Sequence, residues 1–75
     1  MVGETDPVTD VEIGPQGIRL GQFLKYAGAV ESGGEAKAVL GAGAVEVNGR
    51  VETRRGARLA PGDVVTLAGR SWRLT

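Results

Sequence analysis

Residues 32–51 read Ser32-Gly33-Gly34-Glu35-Ala36-Lys37-Ala38-Val39-Leu40-Gly41-Ala42-Gly43-Ala44-Val45-Glu46-Val47-Asn48-Gly49-Arg50-Val51, and along them the spacing of apolar side chains changes from helical to extended. Ser32 followed three residues later by Glu35 matches a capping box, in which hydroxyl and carboxylate each satisfy a backbone N–H left unpaired in the first helical turn. Ala36, Val39 and Leu40 then fall on one face, Lys37 points away from it, and Gly41 and Gly43 end the helix. From Val45 the period is two. Val45, Val47 and Val51 bracket Asn48-Gly49, a pair that tolerates positive φ and is the strongest local signal for a β-hairpin.

Upstream, Leu20, Phe23, Leu24 and Ala27 stand at i, i+3, i+4 and i+7, which predicts a first amphipathic helix. Gln22 and Lys25 lie off its stripe, and Gly28 supplies a stop. The link from Gly28 to Glu31 is short enough to make the two helices a hairpin. Downstream, Glu52 to Arg58 reads as an exposed loop or edge, Pro61-Gly62-Asp63 as a turn, and Val64–Leu67 and Ser71–Leu74 as two more strands. Trp72 and Leu74 are expected to close one face of the sheet. Residues 1–17 contain Pro7, Gly14, Pro15 and Gly17 and read as a flexible acidic tail, with a short strand near Val11 and Ile13. The expectation is therefore an α+β domain over residues 18–75, a two-helix hairpin packed on a small, mostly antiparallel sheet.

Composition narrows the function. A chain of 75 residues is one domain, and at this size only about 60% of the unfolded surface is buried, so its core is small. It has neither cysteine nor histidine, which excludes disulfides and thiolate metal sites and removes the commonest nucleophiles, general bases and zinc ligands. No apolar run is long enough to span a bilayer, and the acidic first residues do not form a signal peptide. The reading is a monomeric, non-catalytic cytoplasmic protein with no cofactor, no metal and no small-molecule substrate.

Net charge is zero, yet it is unevenly distributed. Residues 1–12 hold four acids and no base, whereas residues 13–75 hold nine bases and five acids, a net of +4. Such asymmetry points toward nucleic acid. Lys37 with Arg54, Arg55 and Arg58 forms the expected cationic surface, with Arg19, Lys25 and Arg50 as outliers. Phosphates give such a surface most of its affinity through counterion release, and arginine adds bidentate pairing. The bland alternative is a solvated face, because Glu31, Glu35, Glu46 and Glu52 lie near these cations in sequence. Gly33 and Gly34 admit two readings as well. They let a phosphate approach the helix N-terminus, or they ease the turn between the helices. Ser32, without a histidine or a lysine dyad, is read as a cap rather than a nucleophile. Asp63 is read as a turn residue, Trp72 as core, and Tyr26 as the better base-stacking candidate.

The ordered series Arg19-Leu20-Gly21-Gln22-Phe23-Leu24-Lys25, Ser32-Gly33-Gly34-Glu35-Ala36-Lys37, Val45-Glu46-Val47-Asn48-Gly49 and Gly62-Asp63-Val64 resembles the S-four RNA-binding domain. That is the alpha-L motif of small-subunit ribosomal protein four, tyrosyl-tRNA synthetases, pseudouridine synthases and a heat-shock ribosome-rescue protein. The likeness covers residues 18–68. Many members carry Ser-Arg where this chain has Ser32-Gly33; the Ser-Gly-Gly form, with Glu52-Thr53-Arg54-Arg55-Gly56, is similar to the family's small stand-alone bacterial branch. The resemblance implies a module that holds structured RNA, such as ribosomal RNA. It also implies Lys25, Lys37, Arg54, Arg55 and Arg58 as contacts, with Arg19, Ser32, Gly33 and Gly34 beside them. The competing reading is a protein-interaction module associated with the ribosome. A likeness to ubiquitin-like sulfur carriers fails at the C-terminus, which is Arg73-Leu74-Thr75 rather than Gly-Gly.

Overall fold

The computed structural model describes residues 8–75. In chain order they form β1 (Val8–Val11), β2 (Ile18–Arg19), α1 (Leu20–Tyr26), α2 (Gly33–Gly41), β3 (Val45–Val47), β4 (Arg50–Val51), β5 (Arg58–Leu59), β6 (Val64–Leu67) and β7 (Arg70–Leu74). The α+β expectation holds: a helical hairpin packs on a five-stranded sheet of order β1-β7-β6-β3-β4, with β2 and β5 paired apart from it. All pairs within the larger sheet are antiparallel except β1 with β7, which run parallel.

Local chemistry sets the element ends. The Ser32 hydroxyl accepts from the Glu35 N–H at 3.1 Å, while a Glu35 carboxylate oxygen accepts from the Glu31 N–H at 2.8 Å. The reciprocal arm of the box thus reaches one residue beyond the cap. Asn48 and Gly49 have φ of 54° and 84°, the left-handed pair that a tight two-residue hairpin between β3 and β4 demands. Asn48 does more than turn the chain. Its amide donates to an Asp63 carboxylate oxygen at 3.1 Å and its carbonyl accepts from the Val64 N–H at 2.9 Å. The other Asp63 oxygen accepts from the Ala60 N–H at 2.9 Å. One polar cluster therefore ties the β3–β4 hairpin to the turn before β6.

The β6–β7 hairpin turns in the same way through Ala68 and Gly69, at φ of 54° and 80°. An alanine in this conformation costs about 1–2 kcal/mol, because its Cβ crowds the following carbonyl. Ala68→Asn should therefore stabilise the domain by about 0.5–1 kcal/mol, read as a higher midpoint in denaturant with an unchanged slope.

Leu20, Phe23 and Leu24 of α1 and Ala36 and Leu40 of α2 pack with Val45, Val65, Leu67, Trp72 and Leu74 of the sheet. Phe23, Leu20 and Leu24 are fully enclosed, and no polar or charged side chain among the described residues is buried. Each such apolar side chain contributes about 1.5–3 kcal/mol on burial. Trp72 is core, as its place in an alternating strand predicts, and Arg70 lies over its ring, 4.9 Å from the centroid.

The N-terminal part carries the short strand expected near Val11, placed upstream of Ile13, within the stretch to Gly17 expected to be a flexible tail. Val8–Val11 is a strand in register with Ser71–Leu74, and Ile13 donates to the Thr75 carbonyl at 3.0 Å. The parallel partner lies at the other end of the chain, so nothing local announces the pairing. The rest of the expected tail, residues 1–7, lies outside the described residues.

Candidate nucleic-acid interface

The loop of residues 52–57 is fastened to the start of α1 by the backbone. Arg19 caps α1 without a side-chain hydrogen bond to the helix, so the first-turn N–H groups need other acceptors. The Leu20 N–H donates to the Ala57 carbonyl at 2.8 Å, and the Gly21 N–H to the Arg55 carbonyl at 2.9 Å. The Arg19 guanidinium then reaches back to the Gly56 carbonyl at 2.8 Å. A Cβ at Gly21 would meet the Arg55 Cβ at 3.4 Å, in van der Waals contact, so the loop lies directly against the first turn of α1. Helix and arginine loop are held as one unit.

Beside this junction lies a groove of about 360 Å³ lined by Arg19, Gly21, Gln22, Lys25, Gly33, Ala36, Arg55 and Gly56. Residues from β2, α1, α2 and the loop thus converge. Of the sequence candidates, Arg19, Lys25, Arg55 and Gly33 line the groove. Ser32 and Gly34 flank Gly33 at the same end of α2, where Ser32 is occupied as the cap. Lys37 follows the groove residue Ala36 and stands one helical turn beyond Gly33, so it lies close by without lining it. Arg58 sits directly across β2–β5 from Arg19. Its guanidinium points to the Gln16 carbonyl at 3.4 Å.

Arg54 differs from its neighbours. Its Nε and Nη2 donate to the two Glu52 carboxylate oxygens at 3.1 and 3.2 Å, and its backbone N–H donates to the same carboxylate at 3.0 Å. These bonds hold the Glu52 carboxyl down to about 2, from its ordinary value of 4.5, with the Arg54 side-chain bond the largest cause. The same bond raises the Arg54 guanidinium. Because the folded value is depressed, whatever the pair contributes is present above about pH 4.5 and lost as pH falls through about 2. At neutral pH Glu52 therefore offsets the Arg54 charge. Among the described residues the only other ion pair joins Arg73 to Asp10 at 3.8 Å, which leaves Arg19, Lys25 and Arg55 without a carboxylate partner.

The groove therefore presents three guanidinium or ammonium groups around a wall of small residues, Gly21, Gly33, Ala36 and Gly56. Such a surface admits and attracts a chain of phosphates. Charge placement in the sequence picked out Arg55 and left Arg19 and Lys25 as outliers; Lys25 was implied as a contact by the family resemblance. Charge placement did not reveal that Gly21, Gln22 and Gly56 line the same groove. The one local hint was a glycine in the first turn of a helix that no side chain caps.

Known proteins resemble this chain in sequence and in fold. The S4 domain family is matched over residues 11–75. The probable ribosome maturation protein RlbA of Bacillus subtilis is 46% identical over 59 residues, covering 79% of this chain and 83% of that protein. YbcJ of Escherichia coli strain K12 is 41% identical over 54 residues, covering 72% and 77%. A solution structure of YbcJ, described as revealing an alfaL motif involved in RNA binding, superposes with a TM-score of 0.65. It is 31% identical and covers 100% of this chain and 96% of that one. The match of the family across both helices and every strand after β1 establishes that this chain belongs to the S4 domain family.

Proposed function

We infer that this chain is an RNA-binding module that holds folded RNA by its phosphates in the groove between α1, α2 and the arginine loop, and that it carries out no chemistry of its own. The observation that carries the reading is the convergence of Arg19, Lys25 and Arg55, each free of a carboxylate partner among the described residues, on one concave surface. The kinship with YbcJ, whose structure is described as containing a motif involved in RNA binding, supports it. Arg58 and Lys37 extend the positive surface, and the family's arginine at the Gly33 position is replaced here by charge from α1 and the loop. Neither histidine nor cysteine is present to act as a base or nucleophile. RlbA is named for ribosome maturation, so folded ribosomal RNA in the cytoplasm, bound by a monomer, is the first target to test.

Shape and phosphate position, rather than base sequence, set the affinity of such a groove, because the deep major groove of A-form RNA excludes side chains. Affinity for a structured RNA should fall with salt, with a log–log slope of about −3 to −4 for four or five phosphates neutralised. Titration at several salt concentrations measures it. Binding that ignores salt would overturn the proposal. Capture of a protein partner that survives nuclease treatment, with no RNA bound, would favour a protein-interaction module instead.

A further inference from the structure

Tyr26, the chain's single tyrosine, ends α1 with 63% of its surface exposed. Its hydroxyl donates to the Glu12 carbonyl at 3.3 Å, so the ring is held by its edge. It borders a second concavity of about 420 Å³, lined also by Glu12, Ile13, Gly14, Gly17 and Ile18. Ile13 and Ile18 are half-buried against the core, which gives this hollow a fixed apolar floor. Its volume lies within the range of about 300–1,000 Å³ typical of small-ligand sites.

Cations connect this hollow to the phosphate groove. Lys25, next to Tyr26 in the chain, lines the groove. Arg19 lines it too and faces Arg58 across β2–β5. Arg58 in turn reaches the Gln16 carbonyl, and its Cγ lies 3.9 Å from where a Cβ on Gly17 would stand, at the rim of the hollow. A strand whose phosphates follow Lys25, Arg19 and Arg58 would therefore pass from the groove to the rim of the hollow that Tyr26 borders.

We propose that this second concavity seats one unpaired nucleobase, stacked on Tyr26, of the same RNA whose phosphates occupy the cationic groove. The proposal rests on the RNA-binding reading and deepens it: the preferred RNA has a bulge, loop or junction beside its helix. A base inside a continuous duplex is stacked on its neighbours and cannot enter, whereas an extruded base gains a π-face and an apolar floor. Stacking on an aromatic ring is tolerant of base identity, so the site selects for an unpaired base and not for a sequence.

The test uses the full chain and two RNA hairpins of equal length, one fully paired and one with a single bulged nucleotide. The bulged hairpin should bind about tenfold more tightly. The Tyr26 ring protons, identifiable because no other tyrosine competes, should shift upfield with that RNA and stay in place with the paired one. Tyr26→Leu should abolish the preference while leaving affinity for the paired hairpin unchanged, and Tyr26→Phe should retain it. Equal affinities, an unshifted ring, or a preference that survives Tyr26→Leu in a folded variant would overturn the nucleobase site and leave RNA binding standing. Failure to bind either hairpin would overturn both.

Discussion

Lys25→Gln combined with Arg55→Gln should cut affinity for structured RNA by roughly 30-fold at moderate salt, with no change in thermal stability. Each partly exposed cation facing a phosphate contributes about 1 kcal/mol net, so losing two amounts to about 2 kcal/mol, and 1.4 kcal/mol is a factor of ten. Both side chains lie on the groove, and neither joins an ion pair among the described residues. Removing their charge should therefore leave the fold alone. The salt slope should fall by about 1.4–1.8, since two fewer counterions are released. Arg54→Gln should have a smaller effect, because Glu52 already offsets that charge. If the double variant binds as tightly as the parent, the phosphates do not lie in this groove.

Gly17→Ala should destabilise the domain by about 3 kcal/mol. Gly17 holds φ at +83°, and a Cβ there would overlap the Leu59 carbonyl oxygen, a backbone atom that cannot swing aside. The left-handed conformation costs about 1–2 kcal/mol and the overlap about 1–3 more. In a domain this small, each kcal/mol moves the melting temperature by roughly 4–8 °C, so a loss of 12 °C or more is expected by calorimetry. The site is also where Ile18 pairs with Leu59 and Arg19 with Arg58, so the arginine loop should loosen and RNA affinity fall. A variant that melts within a few degrees of the parent would show that the backbone there relaxes freely.

Several features that position the site were readable in the sequence because they are local. The helix over Leu20–Tyr26 follows from four apolar positions, and the cap of α2 from Ser32 and Glu35. The β3–β4 turn follows from Asn48-Gly49. Others were not. Two-residue strands such as Ile18–Arg19 and Arg58–Leu59 carry no periodicity of their own, and the segment before Ile18 offered only a short strand near Val11 and Ile13 within a tail, because its strand partner is the distant Ser71–Leu74.

The same division holds for the cations. Sequence neighbours suggested Arg54, Arg55 and Arg58 as one group, but the fold separates them. Arg54 turns to Glu52, Arg55 to the groove, and Arg58 stands on β5 directly across from Arg19, with its guanidinium on the Gln16 carbonyl.

By itself, then, the order of residues determined two helices, the hairpin turns, the apolar inventory of the core and the excess of positive charge after residue 12. These depend on contacts within a turn or two of chain. Only the tertiary structure decided which cations share a surface and which are neutralised. That outcome depends on how the docking of the loop carbonyls of Arg55 and Ala57 onto the open N–H groups of α1 orients each side chain, and no spacing along the chain encodes it.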